Sequence, residues 1–268
     1  MNTLYLKKKF EKLKKKFLEK QYNEVIEDCI LILRNNNVDV FYNLLCLAYN
    51  NKGETYKAID IMNEALKKNP KNADFLNNLG MFYSNIYDYK KAEEKYKKGL
   101  EIEKNNLSLL NNLANLKKDL DQTDEAVNIY EKILSIKSDS LLVMYNLAGL
   151  YNSLGEFEKS KKLYFQMLEI KPDFTEADRL ISQMEKYDSK HKHFLNLKEK
   201  LSNMRLENNS LVHLHFALGK AHGDQKNYFE SFDNYKKAND ISKKISNYSF
   251  EKSKKRFDAI KKKFRSLD

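Results

Sequence analysis

Five histidines, two cysteines and a few adjacent carboxylates are the residues of this 268-residue chain that could serve a reaction or a metal. The histidines, His191, His193, His213, His215 and His222, all fall in the C-terminal half. His191 and His193 stand two apart, as do His213 and His215, so on a helix each pair turns to different faces, whereas a helical metal pair needs spacings of three or four. His215 and His222 share a face and read as packing residues. A thiol nucleophile needs a base within hydrogen-bond reach, and Cys29 and Cys46 have no histidine in their half of the chain. Both occupy apolar helical positions, where a thiol acts as a small hydrophobe, as expected in a reducing, cytoplasmic setting. Glu93 and Glu94 stand among lysines at the spacing of ordinary ion pairs on a solvated helix face. Gly149, Gly155, Gly219 and Gly223 are isolated, so no loop is built to cradle a phosphate. The expectation is no catalytic site, no cofactor, no metal and no small-molecule substrate.

Asparagine is the chemistry that remains. Its amide donates and accepts at once, so it can pair with a peptide backbone without reading side chains. About one residue in nine is Asn. Asn43, Asn77, Asn111 and Asn115, with Asn152 further along, are candidates for one lining, and Asn78, Asn112 and Asn146 fall 34 residues apart beside them. Such a lining is useful only if regular elements bring the positions together.

The elements repeat with the same step. Cys46, Gly80, Ala114 and Ala148 each follow a leucine at intervals of 34, and Ala58, Ala92, Ala126 and Ser160 come twelve later. Met62, Tyr96, Tyr130 and Tyr164 follow four beyond those. Small residues let two helices approach, and the large residue one turn on can fill the space between stacked pairs. Pro70 and Pro172 share one register position, where a helix can stop without losing an internal hydrogen bond. With Tyr83, Tyr151, Gly53 and Gly155, this pattern resembles the tetratricopeptide (TPR) family. The resemblance implies an all-α fold, a TPR-type right-handed α-solenoid of antiparallel helix pairs. Full repeats are expected at 39–72, 73–106, 107–140 and 141–174, after a degenerate capping repeat at 1–38. Asn78, Asn112 and Asn146 look like the asparagine ladder of the O-linked N-acetylglucosamine transferase TPR region, whose amides hold a peptide backbone. The alternative TPR groove, a clamp for terminal carboxylates, needs inward cations, and Asn43, Leu47, Asn111 and Asn115 stand there instead.

Past Pro172 the register loosens into an irregular helix pair at 175–211, with helices expected from Phe174 to Tyr187 and from His191 to Asn203. Leu218-Gly219, Ser231, Tyr235 and Ala238 then restore it, giving a further repeat at 212–245 and a basic helix at 246–268 with Phe257, Ile260 and Phe264 on one face. The run Leu214-His215-Phe216-Ala217-Leu218-Gly219-Lys220-Ala221, then Asp224, Tyr228, Phe232, Tyr235 and Ala238-Asn239, resembles the segment before the catalytic domain of bacterial TPR-containing sulfotransferases. That likeness implies a following α/β domain with a loop for the sulfuryl donor's phosphates, which these residues do not contain. His222 and Gly223 depart from the pattern.

The net charge of +11 is unevenly placed. Residues 1–20 carry +6 and residues 243–268 carry +7, leaving −2 between them. A neutral array with basic ends disfavours nucleic acid as the main partner. No segment approaches a membrane span. The leading expectation is a non-catalytic scaffold, complete or nearly so, that binds a protein or extended peptide. The alternatives are the substrate-presenting region of a sulfotransferase and binding of RNA or anionic membrane through the Lys-rich ends.

Overall fold

The computed structural model describes residues 3–246 and 249–265, which form fifteen helices and, among the described residues, no strand. The chain divides into two compact units, Met1–Val143 and Met144–Asp268.

In the first unit, α1 (Thr3–Leu18) and α2 (Tyr22–Asn35) precede three helix pairs: α3 (Asp39–Asn51) with α4 (Thr55–Lys68), α5 (Ala73–Asn85) with α6 (Tyr89–Ile102), and α7 (Leu107–Asp119) with α8 (Thr123–Ile136). Helix α4 packs between α3 and α5, and α6 packs between α5 and α7. The first helices also touch across repeats, α1 with α3, α3 with α5 and α5 with α7, so they line one common face.

The columns of small residues explain this packing. Ala58, Ala92 and Ala126 are fully buried, as is Cys46. A methyl group on Gly80 would lie 2.3 Å from the Tyr96 ring, so the tyrosine fills the notch that glycine leaves in its own pair. Tyr96 also shares a core with Leu109 and Leu113 of α7, and one ring therefore joins two repeats. Between the helices of each pair the chain needs one residue with left-handed φ. Gly53 supplies it at +83°, but Lys20, Tyr87 and Asp121 adopt φ of 57–62° in the equivalent turns. Asn72 and Asn106 cap α5 and α7, accepting from Phe75 N–H and from Ser108 and Leu109 N–H. Part of the asparagine content thus serves helix starts.

The second unit holds α9 (Leu141–Ser153, which begins just before its boundary), α10 (Phe157–Ile170), α11 (Thr175–Met184), α12 (Lys192–Asn203), α13 (Asn208–Asp224), α14 (Tyr228–Ser246) and α15 (Phe250–Arg265). Two serines stand where the first unit has alanine. Ser160 Oγ donates to Ala148 O at 2.8 Å and Ser231 Oγ to Gly219 O at 2.7 Å, so each hydroxyl is satisfied inside its notch. Two boundaries differ from the sequence reading. Helix α11 stops at Met184 rather than Tyr187, because Tyr187 is held by side chains described below, and α13 starts at Asn208, four residues before Val212. The side chain of Phe264 lies outside the described residues.

Candidate peptide-binding face and a buried polar cluster

On the shared face of α3, α5 and α7 the asparagines meet in pairs. Asn78 Nδ2 donates to Asn43 Oδ1 at 2.8 Å, and Asn112 Nδ2 donates to Asn77 Oδ1 at 2.9 Å. Nearer the helix ends, Asn85 Nδ2 donates to Asn50 Oδ1 at 3.0 Å. Partners are 35 apart rather than 34, because adjacent residues on a helix point to different flanks. In α5, Asn78 turns back to α3 while Asn77 turns forward to α7. The bridges therefore join the column of Asn43 and Asn77 to the column of Asn78 and Asn112. Each bridge consumes one N–H and one lone pair, leaving Asn43 and Asn77 an amide donor and Asn78 and Asn112 a carbonyl acceptor.

The remaining candidates are placed differently. Asn115 Oδ1 accepts from the Tyr130 hydroxyl at 2.6 Å, which commits it to packing between α7 and α8. Asn111 Oδ1 is buried with no hydrogen-bond partner. Asn146 is half-buried and Asn152 exposed, both in the second unit.

The histidines and thiols are engaged in packing. Cys29 and Cys46 are fully buried, and burial pushes the Cys29 thiol up to about 12 and that of Cys46 in the same direction. His215 Nδ1 pairs with Asn234 Oδ1 at 2.9 Å, and the His222 ring meets Phe194 edge-on. Burial lowers the pKa of both His213 and His222. Glu93 is not simply solvated: besides Lys97 at 2.6 Å it reaches the buried Lys117 of α7 at 2.9 Å.

A polar cluster in the second unit has no counterpart in the sequence reading. Asp178 on α11 is fully buried, and Lys200 on α12 donates to both its oxygens, at 2.9 and 2.7 Å. His193 Nε2 lies 3.1 Å from Asp178 Oδ1, and its Nδ1 is 2.7 Å from the Tyr187 hydroxyl. With Nε2 donating to the carboxylate, Nδ1 accepts the tyrosine proton and every polar atom is satisfied. Tyr187 is held further by its backbone N–H to Asp224 at 3.0 Å and by Lys220 over its ring. Burial drives its hydroxyl strongly upward, so it stays protonated. Asp178, His193 and Lys200 line a cavity of about 550 Å³ floored by Phe165 and Leu168. With both carboxylate oxygens and both ring nitrogens occupied, the cluster fastens α11 to α12 and the Tyr187 segment. The only signal in the sequence was a carboxylate, a histidine and a lysine in one irregular stretch, without a period to align them.

Residues 61–94 and 119–184 each match a tetratricopeptide-repeat family model. No curated protein sequence matches the chain. Among solved structures, the C-terminal part of a TPR repeat-containing protein from Cytophaga hutchinsonii superposes with a TM-score of 0.65 at 13% identity, covering 87% of this chain and 95% of that one. The pilF protein of Pseudomonas aeruginosa gives 0.56 at 18% identity, with 89% and 99% covered. A tetratricopeptide repeat protein from Parabacteroides merdae gives 0.53 at 17% identity, with 91% and 94% covered. Identities this low speak to fold alone. The narrower likeness of residues 175–264 to sulfotransferases gains no support from these matches.

Proposed function

We propose that this all-helical chain of tetratricopeptide repeats is a scaffold that binds an extended segment of a partner protein along the asparagine face of α3, α5 and α7. The observation that carries the reading is the pair of consecutive amide bridges, Asn43 with Asn78 and Asn77 with Asn112. Each bridge fixes the rotamers of two amides and leaves a donor and an acceptor free, so a backbone can be met by groups already oriented. Recognition of this kind reads N–H and C=O groups and tolerates varied side chains. Cations for a terminal carboxylate are missing from these positions, which favours an internal segment over a chain end. The role is one of binding rather than catalysis. Two buried thiols suit a reducing compartment such as the cytoplasm, and among the described residues no helix is long and apolar enough to cross a membrane.

The test starts from peptides selected on the wild-type chain from a display library. The double variant Asn78→Ala/Asn112→Ala is expected to weaken their binding by about tenfold or more, equivalent to ~1.4 kcal/mol. It is also expected to lower stability by about 1 kcal/mol per bridge, since each half-buried partner loses a hydrogen bond. Circular dichroism confirms that the variant is folded at the assay temperature. Unchanged affinity in the folded variant would sink the proposal.

A further inference from the structure

The chain has two Lys-rich amphipathic helices, α1 and α15, and the structure separates their roles. In α1 the apolar face is used: Leu13 is fully buried, and Leu6, Phe10 and Phe17 pack on the core formed with α2 and α3. Its cations are partly used too, with Lys9 at 3.0 Å from Asp28 and Lys16 at 2.8 Å from Glu24. Helix α15 has the same composition and neither engagement. From Phe250 to Lys261 every residue except Ser253 is exposed, and among the described residues none of these side chains forms an ion pair.

The order of residues on α15 is specific. Phe250, Phe257 and Ile260, at spacings of seven and three, form one stripe and are 69%, 64% and 43% exposed. Lys254 and Lys261 border the stripe on one side, with Glu251 and Asp258 beyond them on that flank, Arg256 borders it on the other, and Lys252 and Lys255 lie on the opposite face. Two phenylalanines can enter the acyl boundary while flanking cations reach up to headgroups and the acids stay in water. A folded protein core would satisfy the stripe but would gain nothing from cations along both borders. An RNA would use the cations and leave the phenylalanines in water.

We propose that α15 is a peripheral membrane anchor that lies in the interface of an anionic lipid bilayer, with Phe250, Phe257 and Ile260 inserted and Lys254, Arg256 and Lys261 on acidic headgroups. The positive charge concentrated in residues 243–268 supplies the long-range attraction, and the apolar stripe supplies depth.

The test uses the full chain and flotation with vesicles of phosphatidylcholine containing phosphatidylserine, against vesicles of phosphatidylcholine alone. Binding is expected with the first only, and it falls as salt is raised. Phe257→Ser/Ile260→Ser and Lys254→Glu/Lys261→Glu should each reduce partitioning about tenfold or more. A matched change on α1, Lys7→Glu/Lys8→Glu, should leave it within about twofold. The chain has no tryptophan, so Phe257→Trp gives a clean reporter whose emission shifts to the blue on anionic vesicles. Equal binding to both vesicles, no binding to either, or partitioning unaffected by Phe257→Ser/Ile260→Ser would overturn the proposal. Binding of polyuridylate by a chain that ignores the vesicles would overturn it in favour of nucleic acid.

Discussion

Single residues decide how closely the helix pairs approach, and the glycines show it because each removes a side chain at a different cost. Gly80 faces the Tyr96 ring at a distance no Cβ can share, and Tyr96 is only 2% exposed and cannot swing into water. Gly149 also lies inside a helix, but a Cβ there meets nothing within 4 Å. Gly80→Ala is therefore expected to lower stability by about 1–3 kcal/mol through overpacking, and Gly80→Leu by more as it wedges the pair apart. Gly149→Ala should raise stability by about 0.5–1 kcal/mol, since alanine keeps the helix and narrows the unfolded ensemble. Urea denaturation of the variants checks both signs. Equal effects at the two sites would mean that Tyr96 does not occupy the Gly80 notch.

At the scale of the helix pair, a recurring contact joins first to second helix across eight residues. Lys57 lies 5.7 Å from the centroid of the Tyr49 ring, Lys91 lies 5.4 Å from Tyr83, and Lys159 lies 5.0 Å from Tyr151. In α7 and α8 the same two positions hold Lys117 and Glu125, bonded at 2.9 Å, so the cation has changed helices and a carboxylate replaces the ring's negative face. Lys117 is 4% exposed and also reaches Glu93 of α6 and Gln122. The pair behaves as a unit. Glu125→Lys alone places two ammonium groups together, and Lys117→Tyr alone leaves Glu125 without its cation. The double variant Lys117→Tyr/Glu125→Lys should recover at least about 1 kcal/mol relative to the sum of the single changes, measured as a double-mutant cycle in denaturant. Simple additivity would show that the two positions are not coupled. This exchange was present in the columns, at positions 117 and 125, but it is hidden when the first column is read as aromatic only.

Over the whole molecule, legibility follows the period. Helices α3 to α10 repeat one local packing problem every 34 residues, so small, aromatic and proline columns reinforce one another and the all-α repeat architecture can be read directly. The asparagine pairing was half legible: Asn43, Asn77, Asn78 and Asn112 stand out in the sequence, but bridging couples neighbouring flanks, and a column of identical register cannot show that. The region from α11 to α13 was least legible, because Asp178, His193, Lys200 and Tyr187 are drawn together by burial and hydrogen bonding at separations with no repeat. The same distinction leads to a prediction about stability along the chain. In a repeat array, stability is set by each element and its nearest neighbours, so damage stays local. The first unit has its own cores around Phe41, Phe75 and Leu109, and the second has one around Phe194, Leu197 and Leu214. Asp178→Ala strands a partly buried ammonium and a buried imidazole, a change expected to cost roughly 3–5 kcal/mol. In native-state hydrogen exchange, amides of α11, α12 and the start of α13 should lose protection by two or more orders of magnitude, as about 1.4 kcal/mol per tenfold requires. Amides of α3 to α6 should keep their wild-type rates. Uniform loss across all helices would instead make the chain one cooperative body whose stability rests on a cluster near one end.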